Sequence, residues 1–370
     1  MIRLATVFSG IGAIESALEY LNVDHEIVFA CDNGERELKQ SYDEIDKLVE
    51  GKNELEIQNI INRLYKETGK ENFVKQSYFA NYQINENQWY EDIKYLNGEL
   101  FRNQIDLYVG GSPCQSFSVN GKRAGLKDIR GTLFYEYCRI IDESRPKVFI
   151  YENVRGMINH DKGKTWRIVK DIFNQLDYDV YIHQTNGKED PILNSKDYGI
   201  PQNRERLYVV GFRRDLNIHN FQFPVAEELQ TRVVNYLEPR VDAKYYLKQK
   251  GFEFVTSNPS RARVGTEIMG CQKANQQFNW NGDFIFESLE SVRNRQDIMD
   301  RAYIGTWNGQ VGVCRKFTPR ECLRLMGFRD TFRMIHKDEI MYRQAGNSIV
   351  VNVLMRLVEA IKETGVWNND

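Results

Sequence analysis

"TVFSGIGAIESAL", Thr6–Leu18, runs from a short β-type stretch through a Gly-x-Gly turn into residues with helical spacing. Such a turn lets a ligand approach the backbone and aims helix N–H groups at it. The third glycine of the dinucleotide fingerprint is missing, so as an NAD motif the stretch is weak. A second β-type run, His25–Cys31, ends at Asp32, a carboxylate placed to take a ribose diol at the end of a second parallel strand. Together the two segments favour an adenosine-containing cofactor at the carboxyl ends of a doubly wound sheet.

Working outward, further β-type runs rich in Val, Ile, Tyr and Phe occur at Ile105–Val109, Lys147–Tyr151, Val180–Thr185 and Leu207–Phe212, and the first strand reads Arg3–Phe8. Helical spacing at Ala13–Leu21, Thr132–Glu143 and Thr165–Leu176 alternates with them, which predicts an α/β, doubly wound sheet. Residues 38–75 break the rhythm. Leu38, Tyr42, Ile45, Leu48 and Val49, then Leu55, Ile60, Ile61, Leu64 and Tyr65, predict one or two amphipathic helices in an insert of about 38–88, read as a packed surface decoration. From Arg213 to Gly312 the pattern dissolves into short β-like pieces (FEFVT, DFIFE, AYIGTW) among Arg, Asn and Gln, which predicts a second, smaller, irregular β-rich domain. A helix then resumes in "RKFTPRECLRLMGF", with Thr318 as N-cap and Pro319 at its first position, and a last helix covers Ile349–Glu363. The expected divisions are 1–212, 213–312 and 313–370.

The bulk properties belong to a globular protein: 370 residues, 41% hydrophobic and 28% charged. No apolar run reaches bilayer length and the N-terminus lacks the apolar core of a signal peptide, so the expected compartment is the cytoplasm and no membrane contact is expected. Six cysteines stand without a CxxC pair or a histidine pair at ligand spacing, so no metal is expected and the ordinary reading of each is a reduced core residue. The net charge is −2, yet residues 201–350 hold 23 Lys/Arg against 17 Asp/Glu, while residues 33–100 hold 9 against 14. One basic face offered to a polyanion would suit that gradient.

One cysteine sits differently. Cys114 follows a proline in "GGSPCQSFSVNGKRAG", Gly110–Gly125, at the end of a strand and before a basic run. With "FSGIG", "RGTLFYE", "YENVRGM", "IPQNRERLYVVGF", "RKFTPRECLRLMGF" and "QAGNSIVVNVL" it forms an ordered series of seven motifs that resembles the C5-cytosine-specific DNA methyltransferase family, bacterial modification type. The resemblance covers most of the chain and lapses near 38–88 and 213–312. It implies a Rossmann-like S-adenosylmethionine-dependent methyltransferase sheet in 1–212, a target-recognition domain in 213–312, and a C-terminal segment, 313–370, that returns to the catalytic domain.

The chemistry asks for these groups independently. Carbon 5 of cytosine becomes nucleophilic when a thiolate adds across C6, which suits Cys114 on a turn with basic neighbours. The ring then needs a proton held near N3, which suits Glu152 of "YENV". By resemblance Arg206, the second arginine of Gln202-Asn203-Arg204-Glu205-Arg206, holds the cytosine oxygen, while Arg204 meets a phosphate or braces the site. Resemblance also implies a pocket for S-adenosylmethionine (product S-adenosylhomocysteine). Phe8 would face the adenine and Gly10 and Gly12 would admit the methionine moiety. Asp32 would take the ribose, where the family more often has Glu, and Asp92 and Ile93 of "YEDIKYLN" the adenine edge. Pro113, Leu133, Asn347 and Ser348 would complete the pocket.

Double-stranded DNA is the expected partner, with the target base flipped out. Gln115, Ser118, Lys122, Arg123 and Arg130, together with Lys127, read as a mobile, phosphate-binding loop. Arg261, Arg263, Asn275, Gln276 and Gln277 are of types that pair with base edges. A monomer working beside a cognate restriction endonuclease is the expected setting; an orphan or phage-borne enzyme would look the same. Two other readings stand. A tRNA methyltransferase of this fold would carry a Cys-Phe-Thr tripeptide, absent here, and a catalytically silent DNA binder would have no reason to keep Cys114 and Glu152.

Overall fold

A computed structural model of the chain describes residues 1–113, 132–275 and 280–368. Two compact units emerge: residues 1–193, 205–225 and 354–370 form the first, residues 194–204 and 226–353 the second. Compactness therefore breaks the chain elsewhere than at the expected 212/213 and 312/313. Residues 313–353 stay with the second unit, and only the end of the chain, from Leu354, joins the first.

The first unit is built on β1 (Ile2–Val7), β2 (His25–Cys31), β3 (Trp89–Tyr90), β4 (Leu107–Gly110), β5 (Val148–Val154), β6 (Tyr178–Ile182), β7 (Ile192–Asn194) and β8 (Glu205–Arg213). Their order is β3-β2-β1-β4-β5-β8-β6, with β7 also on β8. Strand β1 pairs in parallel with both β2 and β4, and β4 with β5. The winding thus reverses between β1 and β4, the switch point at which doubly wound sheets take ligands. Strand β8 runs antiparallel to β5 and to β6, a direction that the alternation of strands and helices did not predict. The chain reaches it from β6 through a short hairpin, Gln184–Glu189, and β7, with no crossover helix to restore a parallel sense.

The insert holds three helices after α1 (Ala13–Tyr20): α2 (Tyr42–Val49), α3 (Glu54–Glu67) and α4 (Phe73–Asn81). Capping boxes open the first two of the insert, Ser41 with Glu44 and Asn53 with Glu56. Periodicity missed α4, whose end supplies buried tyrosines: Tyr78 and Tyr82 pack with Ile27, Ala30 and Trp89. Helices α5 (Leu133–Ser144) and α6 (Lys164–Gln175) cover β5, with Phe173 stacked on Phe149 at 5.3 Å and Tyr137 tilted against Tyr151 at 4.9 Å.

The second unit carries a four-stranded sheet, β9 (Ala262–Val264), β10 (Gly282–Ser288), β11 (Gly305–Trp307) and β12 (Gln310–Arg315), in the order β9-β10-β12-β11. DFIFE lies in β10 and the end of AYIGTW in β11. FEFVT is instead part of a helix, Gln249–Ser257. Its Phe252 and Val255, three residues apart, bury one face among Leu247, Phe284 and Cys314, so packing overrode the β-type composition. The helix Pro319–Arg324 opens as predicted, on Thr318 with Pro319 at its first position, and Glu321 closes the capping box. The last helix runs Val351–Glu363. Among the described residues no helix is long and apolar enough to cross a membrane.

Glu321 holds the second unit together from inside. Its oxygens accept from Arg315 Nη1 (2.8 Å) and Nη2 (2.9 Å) and from the Glu238 N–H (2.9 Å). Both side chains of the pair are sealed off, at 1% and 0% exposure. Removing one partner of a buried pair costs about 3–5 kcal/mol, and the Glu287 carboxylate that stays on Arg315 Nε at 2.5 Å offsets part of that. Glu321→Gln should therefore lower the urea midpoint of the protein by a corresponding amount, read by circular dichroism.

Candidate active site

Beyond the carboxyl end of β1 the chain turns at Phe8, whose φ of 52° puts a bulky side chain in the left-handed region. That conformation costs on the order of 1–3 kcal/mol and is held by its surroundings. Ser9 supplies much of the hold: its hydroxyl lies 2.7 Å from Thr6 Oγ1 and accepts from the Cys31 N–H at 3.0 Å. Asp32, half-buried at the end of β2, accepts from the Gly10 N–H (2.9 Å) and the Gly34 N–H (2.8 Å). Burial pushes its carboxyl up, and these two N–H groups pull against the rise. The carboxylate therefore shapes the loop as well as standing beside it.

The two glycines of the turn differ. Among the described residues a Cβ on Gly10 would meet nothing closer than the Phe8 carbonyl at 4.0 Å, which leaves room for a ligand on this side. A Cβ on Gly12 would lie 2.1 Å from the ring of Tyr82, whose hydroxyl donates to the Gly12 carbonyl at 2.6 Å. The space beside Gly12 belongs to the insert, which corrects the expectation that it admits a ligand. Asp92 is buried, as is Ile93. Asp92 caps the turn Ile93–Tyr95 and accepts from Tyr65 Oη of α3 at 2.9 Å, and its burial raises its pKa. Tyr65 and Tyr82 were invisible as site residues in the sequence, because a tyrosine at helical spacing reads as core.

A second cluster forms at the ends of β4 and β5. A Cβ on Gly111 would come within 2.7 Å of Glu152 Oε2 and 2.8 Å of its carbonyl, so only glycine allows the approach. Asn153 Nδ2 donates to the Ser112 carbonyl (2.8 Å) and to Tyr151 Oη (2.7 Å), and Ser112 Oγ lies 2.9 Å from Tyr151 Oη. The turn Gly111–Pro113 is thereby fastened to β5. From the neighbouring β8, Arg206 Nε reaches Glu152 Oε1 at 3.1 Å, both side chains being mostly shielded. Antiparallel register, Arg206 opposite Val154 and Tyr208 opposite Glu152, brings the pair together. Glu152 and Arg206 thus meet, and Pro113 follows the fastened Ser112, with Asn153 and Tyr151 as fasteners that the sequence did not single out.

The remaining expected residues divide. Cys114, Gln115, Ser118, Lys122, Arg123, Lys127 and Arg130 lie outside the described residues, as do Gln276 and Gln277. Leu133 opens α5 behind its N-cap, Thr132. Arg204 is buried in the second unit, where it donates to the carbonyls of Gln272 (2.8 Å), Gly346 (3.0 Å) and Ser348 (2.7 Å). That is bracing, not contact with a phosphate. Asn347, exposed, and Ser348, buried, lie in the same unit, at and just after the end of the helix Asp338–Asn347.

Glu15, in the first turn of α1, is fully buried and accepts from Tyr78 Oη. Burial raises its carboxyl from 4.5 to about 7. The folded chain therefore holds this proton more tightly than the unfolded one. The stability it contributes is complete below about 4.5 and is lost as the pH rises through about 7. Urea midpoints should fall across that window, and Glu15→Gln should flatten the fall.

A family model described as C-5 cytosine-specific DNA methylase matches residues 64–363. The type II methyltransferase M.HhaI of Haemophilus parahaemolyticus is 37% identical over 257 residues, covering 67% of this chain and 73% of that protein. M1.ScrFI of Lactococcus lactis subsp. cremoris is 37% identical over 260 residues, covering 70% of this chain and 62% of that protein. Among solved structures, a mutant DNMT2 of Spodoptera frugiperda matches with a TM-score of 0.66 at 18% identity, covering 98% of this chain and 100% of the other. That likeness speaks for the fold, the Rossmann-like α/β sheet of S-adenosylmethionine methyltransferases. The chain belongs to the C-5 cytosine-specific DNA methylase family and is a methyltransferase.

Proposed function

We propose that the protein methylates carbon 5 of a cytosine flipped out of a specific duplex DNA sequence, with S-adenosylmethionine as methyl donor. The observation that carries this reading is the contact of Gly111 with Glu152. It holds the end of β4 against the Glu152–Arg206 pair, and Cys114 follows Gly111 by three residues in the sequence. A thiolate, a carboxyl group and a guanidinium are what attack at C6, proton supply at N3 and a grip on the exocyclic oxygen require.

The open side of Gly10 fits the cofactor, with the carboxylates of Asp32 and Asp92 as acceptors for its hydroxyl and amino groups and Phe8 and Ile93 beside the adenine. Pro113, Leu133, Asn347 and Ser348 complete the proposed set. When bound, S-adenosylmethionine supplies an electrophilic methyl group. Cys114 forms the bond to C6, Glu152 holds the proton at N3 and Arg206 orients the base. After methyl transfer the proton on C5 leaves, the C6–sulfur bond breaks and the thiolate of Cys114 is restored. Arg204 serves by holding the backbone in place.

Extruding the base costs on the order of a few kcal/mol, which contacts from the basic segment 115–130 would offset. Residues 213–312 supply target recognition. Relatives named as type II methyltransferases support a modification enzyme, and the reading adds a cognate restriction endonuclease, a monomeric state and the cytoplasm. Labelled S-adenosylmethionine offered with duplex DNA or tRNA tests the reading. Label should pass to DNA with the wild type and vanish with Cys114→Ser. Glu152→Gln should slow transfer by roughly 10²- to 10⁴-fold. Label on tRNA alone, or DNA labelling that survives loss of the thiol, overturns the proposal.

A further inference from the structure

Arg263 sits on β9, an edge strand of the second unit, directly opposite Asp283 on β10 in the parallel register. Asp283 is buried, at 1% exposure, whereas the guanidinium above it remains 44% exposed. Three donors converge on the carboxylate: Arg263 Nη2 at 2.8 Å, Thr266 Oγ1 at 2.9 Å and the Gly270 N–H at 3.0 Å. Glycine at 270 is part of the seat, because a Cβ there would lie 1.8 Å from Arg263 Nη2. Gly270 is itself anchored, since Gln202–Asn203 pairs with Met269–Gly270.

Other arginines of this unit are paired differently. Arg315 is buried together with its acid, and Arg324, Arg295 and Arg232 meet acids that are more than half exposed. An exposed pair of that sort contributes little and holds the arginine only loosely. Burying a carboxylate costs several kcal/mol before its partners offset it, so a seat of this kind is a poor device for stability alone. What it accomplishes is orientation: Nη2 is pinned through one N–H while the guanidinium as a whole stays 44% exposed. Among the described residues Nε and Nη1 make no hydrogen bond.

We propose that Arg263 reads a guanine in the target duplex, with Asp283 as its positioning residue. A fixed guanidinium edge matches the O6 and N7 acceptors that guanine shows in the major groove, and lysine cannot reproduce the two-pronged contact. The inference rests on the reading of this chain as a DNA methyltransferase.

The test is methylation of a randomised duplex library by the wild type, Arg263→Lys and Asp283→Asn, with bisulfite sequencing of the products. Arg263→Lys keeps the charge over the buried carboxylate, and thermal melts of both variants verify folding. The wild type should demand guanine at a fixed position of its motif. Both folded variants should relax that one position, losing on the order of 10- to 100-fold in discrimination while the others stay fixed. A uniform loss at every sequence with a shallower salt dependence would mean a phosphate contact and overturn the proposal, as would an unchanged motif or one without guanine. A wild type that methylates no duplex sinks the DNA reading itself, and this inference with it.

Discussion

The approach of Glu152 to the backbone of Gly111 is the contact on which the candidate site depends. A carboxylate oxygen and a carbonyl both stand where a side chain would begin, so any residue other than glycine would push the turn off β5. Sheet pairing alone would bring β4 and β5 side by side, yet it would leave the chain beyond Gly110 free to swing. The bonds from Asn153 and Tyr151 to Ser112 remove that freedom. The antiparallel entry of β8 then adds Arg206 from the far side of β5, at a point that a crossover connection in the parallel sense would not have supplied.

The loop beyond β1 obeys a related logic with a different outcome. Phe8 is held in a strained conformation by a web running through Ser9, Cys31 and Asp32, and Gly10 is left open. Gly12 is closed by Tyr82, and Asp92 already accepts from Tyr65. Residues 38–88 therefore do more than decorate the sheet. They supply tyrosine hydroxyls that fix the two segments flanking the proposed cofactor pocket, and the buried Glu15–Tyr78 pair ties α1 to the same insert.

Much of this was legible in the sequence. Strand and helix alternation, the cap at Thr318, and Glu152 and Arg206 as site candidates follow from periodicity, turn chemistry and resemblance. What stayed hidden has a common cause: it depends on contacts between residues far apart in the chain. The direction of β8 is set by the route taken from β6. FEFVT becomes a helix because of what Phe252 and Val255 face, and the occupant of the space at Gly12 comes from a tyrosine seventy residues away.

The Gln-x-Arg-x-Arg motif makes the point within five residues. Arg204 and Arg206 are chemically identical, yet one ends among three backbone carbonyls and the other beside a carboxylate. Carbonyl partners use up a guanidinium's donors and keep its charge buried, which suits a brace. A carboxylate partner from the neighbouring strand instead ties the guanidinium to a group that the proposed chemistry uses. Arg263 and Arg315 in the second unit repeat the division: the same side chain is a fastener when its acid and its own charge are both sealed in, and a presented fork when only the acid is. For Arg263 and Arg315 the exposure of the guanidinium relative to its acid is what sets the proposed reader apart from the fastener, and the residue type alone does not.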